Sequence, residues 1–149
     1  MPEALRVVAR FRDGKTQKGT TQDFKPTSAR FHLVPAAGGA PIEVRLAELK
    51  AVFFVRSLEG APGRSKLQGF VEAAAETPQG KKIAVRFEDG ELLCGYTMTY
   101  SADREGFFVF PADVAGNNVR VYVLTAAAAE IKAGPAAEQL AARVLAKRG

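Results

Sequence analysis

The chain of 149 residues has no tryptophan, two methionines, one histidine and one cysteine. Each scarcity removes an explanation. The lone Cys94 cannot form an intramolecular disulfide, which favours a reducing compartment. Cys94 and His32 fall short of the three or four soft ligands of a structural zinc site, so neither a metal nor a cofactor is expected. No run approaches the roughly 18 apolar residues of a membrane span. The opening MPEALRVVAR lacks the apolar core and cleavage pattern of a signal peptide, so the chain reads as cytoplasmic. No glycine-rich loop precedes a helical pattern, so no phosphate cradle is indicated. His32 alternates with Phe31 and Leu33 and should point outward, and no third group completes a Cys94–His32 nucleophilic pair. Asp103, Glu105 and Asp113 read as solvated loop acids. The expectation is a protein that is not an enzyme.

What the chain does have is an internal repeat. VVARFRDGKTQKGTTQDFKPTSARFHLVP (7–35) overlays IAVRFEDGELLCGYTMTYSADREGFFVFP (83–111) without a gap, at the spacing that takes Arg10 to Arg86. Phe11/Phe87, Asp13/Asp89, Gly14/Gly90, Gly19/Gly95, Thr21/Thr97, Phe31/Phe107 and Pro35/Pro111 coincide. These are turn and core residue types, the ones a fold needs.

Each copy begins with period-two alternation, such as Val7, Ala9 and Phe11, the mark of a half-buried strand. An Asp-Gly pair then turns the chain, since glycine tolerates positive φ. The returning strand contains a glycine where a sheet can bend. Arg30 to Val34 is a third strand and Ile42 to Leu46 a fourth. A single helical turn follows, and then Ala51 to Val55, apolar on both faces. The second copy runs in parallel through a fourth strand over Val119 to Leu124. Its Glu130-Ile131-Lys132-Ala133 echoes Glu48-Leu49-Lys50-Ala51, which predicts a longer helical turn over Ala126 to Ala129 and no counterpart to Phe53-Phe54-Val55. Gly134-Pro135 opens a helix with an apolar stripe of Ala137, Leu140, Ala141, Val144 and Leu145. Leu67 to Glu72 reads as an edge strand within the connector.

The predicted architecture is all-β: two tandem five-stranded SH3-like or Sm-like small barrels with a C-terminal α-helix. The first barrel covers 1–56, a connector 57–82, the second barrel 83–134 and the helix 135–149.

Charge is uneven. Residues 1–65 hold 11 Lys/Arg against 6 Asp/Glu, and residues 66–149 hold 10 against 10, so the first copy carries the whole net charge of +5. Arg6, Arg10, Arg12, Arg30 and Arg56 are the candidates for contact with nucleic acid or an acidic partner. Phe108 and Phe110 alternate with the core residues Phe107 and Val109, and with Tyr96 and Tyr100 they are the candidate partner-binding aromatics.

Two family resemblances follow from these residues. Asp13-Gly14-Lys15-Thr16-Gln17-Lys18-Gly19, with Phe24 five residues on, resembles the first motif of Sm-like RNA-binding proteins. Ala51 to Arg56 is similar to the strand of their second motif. The family's base-pocket Asp and Asn fall on Lys25 and Ala29, and the Gly after its Arg is Ser57. Asp89-Gly90-Glu91, Gly95-Tyr96-Thr97, Gly106 to Pro111, Asp113 and Asn117 to Arg120 resemble an uncharacterised bacterial domain that accompanies PilZ and other signalling modules. Arg6 and Arg10 have the RxxxR spacing of a PilZ cyclic-di-GMP site, but no DxSxxG partner follows.

The expected function is a non-catalytic protein-interaction or regulatory module of a bacterial signalling or motility system, its ligand unknown. The alternative is Sm-like RNA binding through the basic face of the first copy. A protein partner is expected, nucleic acid is the second option, a homodimer a third, and a membrane none.

Overall fold

Leu49 to Val55 is buried at every position, and a strand apolar on both faces needs protein on both sides. That requirement organises the molecule. The computed structural model describes residues 4–58, 80–98, 100–101, 103–112 and 118–148. The first copy contributes β1 (Leu5–Phe11), β2 (Thr16–Thr21), β3 (Arg30–Pro35), β4 (Ile42–Arg45), a 3-10 turn (Leu46–Glu48) and β5 (Leu49–Val55). The second contributes β6 (Lys81–Phe87), β7 (Leu92–Thr97), β8 (Gly106–Pro111), β9 (Asn118–Leu124), a 3-10 turn (Thr125–Ala127) and β10 (Ala128–Ala133). Helix α1 (Pro135–Arg148) ends the chain. The edge strand expected over Leu67 to Glu72 and most of the connector lie outside the described residues.

All ten strands among the described residues join one antiparallel sheet, ordered β10-β6-β7-β8-β9-β5-β1-β2-β3-β4. The fold is therefore β with a C-terminal helix, as expected, but the two separate closed barrels are replaced by one open sheet. The reason is β5. Instead of closing on its own copy, it pairs with β9 of the other, Phe53 opposite Val121. Its two faces then enter two different cores. Val52 and Phe54 join Val7, Ala9, Phe31, Leu33 and Val44 of the first copy, while Ala51, Phe53 and Val55 join Ile83, Val85, Phe87, Phe107 and Val109 of the second. β9 does the reverse: Val121 and Val123 face its own core, Tyr122 and Leu124 the first. Each copy thus lends a wall to the other.

The repeat holds down to single hydrogen bonds. Phe11 N–H donates to Lys15 O and Phe87 N–H to Glu91 O; Ala36 N–H donates to Lys18 O and Ala112 N–H to Cys94 O. Gly19 opposes Pro35 as Gly95 opposes Pro111. A Cβ on Gly19 would stand 2.0 Å from Val34 O, and one on Gly95 2.2 Å from Phe110 O. Close approach of the second and third strands admits only glycine there.

The end of the second copy corrects the predicted alignment. Arg10 pairs with Ala51 and Arg86 with Glu130, so Glu130 occupies the place of Ala51. The 3-10 turn is no longer than its counterpart, and β10 is a complete fifth strand. The echo of ELKA in EIKA is displaced by three residues, an odd number that moves every side chain to the opposite face. β10 consequently sets Glu130 and Lys132 where β5 has Ala51 and Phe53. Its side of the sheet is covered by α1 instead. Ala137, Leu140, Ala141 and Val144 bury against Ala84, Cys94 and Leu92, as the apolar stripe predicts. Lys82–Glu138 at 2.7 Å and Arg143–Glu130 at 2.6 Å fix the helix at its flanks.

Candidate interaction site

The basic residues of the first copy mostly have partners within the molecule. Arg12 reaches Glu88 at 3.2 Å, Arg10 approaches Glu91 at 3.8 Å, and Arg30 pairs with Glu43 at 3.4 Å. Arg6 donates to the carbonyl of Arg56 at 3.0 Å, and Arg56 itself is exposed. Lys50, 6% exposed, donates to Asp89 at 2.7 Å and Glu91 at 2.6 Å and lies 4.6 Å from the centroid of the Phe87 ring. Burial opposes ionisation of Asp89, but the Lys50 ammonium and the backbone N–H of Glu91 outweigh it and hold the carboxyl below the usual aspartate range. Arg10, Arg12 and Lys50 therefore face the acids of the second hairpin and form a seam between the copies. The first copy's excess charge is in large part answered by the second.

The predicted aromatics are placed differently from one another. Tyr96 is 4% exposed, and burial pushes its phenol up. Tyr100 is half-buried, its ring centroid 4.9 Å from that of Phe107. Phe110 is half-buried opposite Tyr96. Phe108 turns into the first core, packed on Phe54 and Tyr122. The structure does not bring these four into one patch.

It does build an aromatic cluster that the sequence reading missed. Phe24, on the loop after β2, packs edge-on against Phe54 at 5.2 Å and Tyr122 at 5.4 Å. Phe108 meets Tyr122 at 5.0 Å. Gly106 is required beneath it, because a Cβ there would lie 2.5 Å from the Tyr122 ring. Above the cluster stands Arg120 on β9, opposite Phe54 of β5, its guanidinium carbon 4.6 Å from the Phe54 centroid and 4.9 Å from that of Phe108. Both copies contribute, and Phe24, Phe108 and Arg120 remain half-buried. No local motif announces such a cluster; alternation singled out Phe108, and Phe24 stood isolated between polar residues, but nothing in the sequence joined them to Phe54 and Tyr122.

His32 and Asp23 form the other polar constellation. The His32 ring nitrogen Nδ1 lies 2.7 Å from Asp23 Oδ2, and the His32 N–H donates to Oδ1 at 2.9 Å. Burial opposes ionisation of Asp23, yet these bonds and the Thr21 hydroxyl keep its carboxyl below the usual range. The pair borders an open groove of about 340 Å³ with Thr20, Val34 and Pro41. Cys94 is buried beneath α1. No group of three His, Cys, Asp or Glu able to hold a metal occurs among the described residues, and no described helix is long and apolar enough to cross a membrane.

Nothing among curated proteins and nothing among solved structures matches the chain. A family profile does, over residues 3–133, ending where β10 ends and leaving α1 beyond it. With that span matched, the chain belongs to the family described as Family of unknown function (DUF6982).

Proposed function

We propose that this protein is a non-catalytic, cytoplasmic interaction module of a bacterial signalling or motility system, and that it binds another protein. In finer terms it is a tandem of two small barrel-like units that share walls. The observation that carries the reading is the Phe24–Phe54–Phe108–Tyr122 cluster under Arg120. It is assembled from both copies, its rings pack edge-on against one another, and it leaves half-buried aromatic edges beside an arginine, the residue types that anchor protein interfaces. The signalling context rests on the resemblance carried by residues 89–120.

RNA binding through the basic face is the weaker reading. Phosphate backbones are held by several uncompensated cations, and Arg10, Arg12 and Lys50 already have carboxylates. The test is site-specific photocrosslinking in cells with a benzophenone amino acid at Phe24, compared with one at the exposed Gln17 near the start of β2. A discrete protein adduct from position 24 alone is expected. Adducts only to nucleic acid, or equal adducts from both positions, would overturn the proposal.

A further inference from the structure

Arg10, Arg12, Arg30, Arg45, Arg86 and Arg143 each have a carboxylate at 3.8 Å or closer. Arg120 has none among the described residues. Its contacts are the faces of Phe54 and Phe108, which attract the cation without using its N–H groups. A guanidinium carries five donors in a planar fork. Arg10 Nε is the one buried side-chain nitrogen without a partner among the described residues, so the Arg120 donors open to solvent. The internal repeat adds a second observation. Val109 opposes Val121 and Leu33 opposes Ile42, so Arg120 stands where the first copy has Pro41. The fold is therefore built once without an arginine at this place.

We infer that Arg120 is a receptor for a carboxylate carried by an acidic segment of a partner protein, which it clamps with its free fork while the partner's apolar residues cover Phe24 and Phe108. This rests on the protein-binding reading above. The fork fits carboxylate and phosphate alike. The surroundings favour the carboxylate: Phe24 and Phe108 are half-buried apolar neighbours, and Val119 beside Arg120 is 46% exposed, whereas a nucleic-acid backbone would need a stripe of free cations. Stacking on two rings also fixes the guanidinium before binding, which lowers the entropy cost of ordering it.

The experiment titrates the full chain with the peptide acetyl-Leu-Glu-Phe-Glu-Leu-amide, its glutamine counterpart, inorganic phosphate and an oligouridylate, following the Arg120 Nε–Hε NMR signal, assigned by its loss in Arg120→Gln. The glutamate peptide should shift that signal and bind about tenfold or more tighter than the glutamine peptide, the discrimination expected of hydrogen bonds to a charged group. Arg120→Gln should abolish the discrimination, and Arg120→Lys, which keeps the charge but loses the fork, should retain only part of it. Unchanged melting of both variants excludes an indirect effect of folding. Equal binding of the two peptides, full discrimination in Arg120→Gln, or a stronger response to phosphate or oligouridylate would overturn the inference. The photocrosslink from Phe24, repeated in Arg120→Gln, separates the two claims: an adduct of undiminished yield sinks the carboxylate receptor and leaves the protein-binding reading standing, while no protein adduct in the unaltered chain sinks both.

Discussion

The two copies have the same strand order and the same turn hydrogen bonds, yet their outer faces are opposite in character. The outer face of β8 and β9 carries Phe108, Tyr122 and Leu124 and seals the first core. The matching face of β3 and β4 carries His32, Glu43 and Arg45, with Arg30 beside them, and is solvated. The outer side of β1 and β5, with Val8, Ala51 and Phe53, is buried in the second core, and the matching side of β6 is covered by α1. The hairpin tips differ too: Arg12 and Lys15 of one copy correspond to Glu88 and Glu91 of the other, and Arg12 pairs with Glu88 itself. Duplication supplied two identical frames. Divergence of the outward residues made one frame fit the other and left the far ends polar or capped.

The sharpest test of equivalence is the paired glycines. Gly19→Ala and Gly95→Ala each drive a Cβ into a backbone carbonyl that cannot swing away. Both should cost about 3 kcal/mol or more, beyond ordinary overpacking, seen as a large loss in thermal or urea unfolding. A tolerated substitution in one copy and a disruptive one in the other would break the comparison.

Next in size is the seam. Lys50→Met leaves Asp89 and Glu91 without their buried cation and should destabilise by about 1–3 kcal/mol, less than a fully buried pair because both carboxylates are partly exposed. The position is asymmetric: its counterpart is Ala129, which is exposed, and Ala129→Lys should change stability by no more than about 0.5 kcal/mol. The seam also has a pH signature. Asp89 has a depressed folded-state pKa, so its contribution is present above the unfolded value near 3.9 and fades as pH falls below that. Unfolding curves between about pH 5 and pH 2 should show this acid loss, and Lys50→Met should flatten it. An identical acid limb in both proteins would place the loss elsewhere.

The smallest effect belongs to the tips. Arg12→Glu should cost under about 1 kcal/mol, as exposed pairs do, and Glu88→Arg in the same chain should restore it. A double-mutant cycle with no coupling would mean that the charge reversal between the tips has no part in joining the copies.

The alternation of Val7, Ala9 and Phe11, the Asp-Gly turns and the bend glycines placed nearly every strand in advance, because such signals depend on neighbours a few residues away. β10 was misread for a related reason: a similar tetrapeptide was matched by identity, while pairing with β6 set its register. Tyr96 and Phe108 look alike as exposed-face aromatics, and only the tertiary fold buries the one and turns the other into the first core. Arg120 was legible only as the last residue of a family resemblance, since its place over the rings of Phe54 and Phe108 depends on the pairing of β9 with β5, far away along the chain.

The chain by itself determined that it would form β-strands, that it would form them twice in the same order, and that a helix would end it. The tertiary structure alone decided that β5 joins β9, that two cores share their walls, and which charges face each other across the seam. The division follows from the physics: strand and turn signals are local, whereas the destination of a strand apolar on both sides depends on which distant surface can bury its second face.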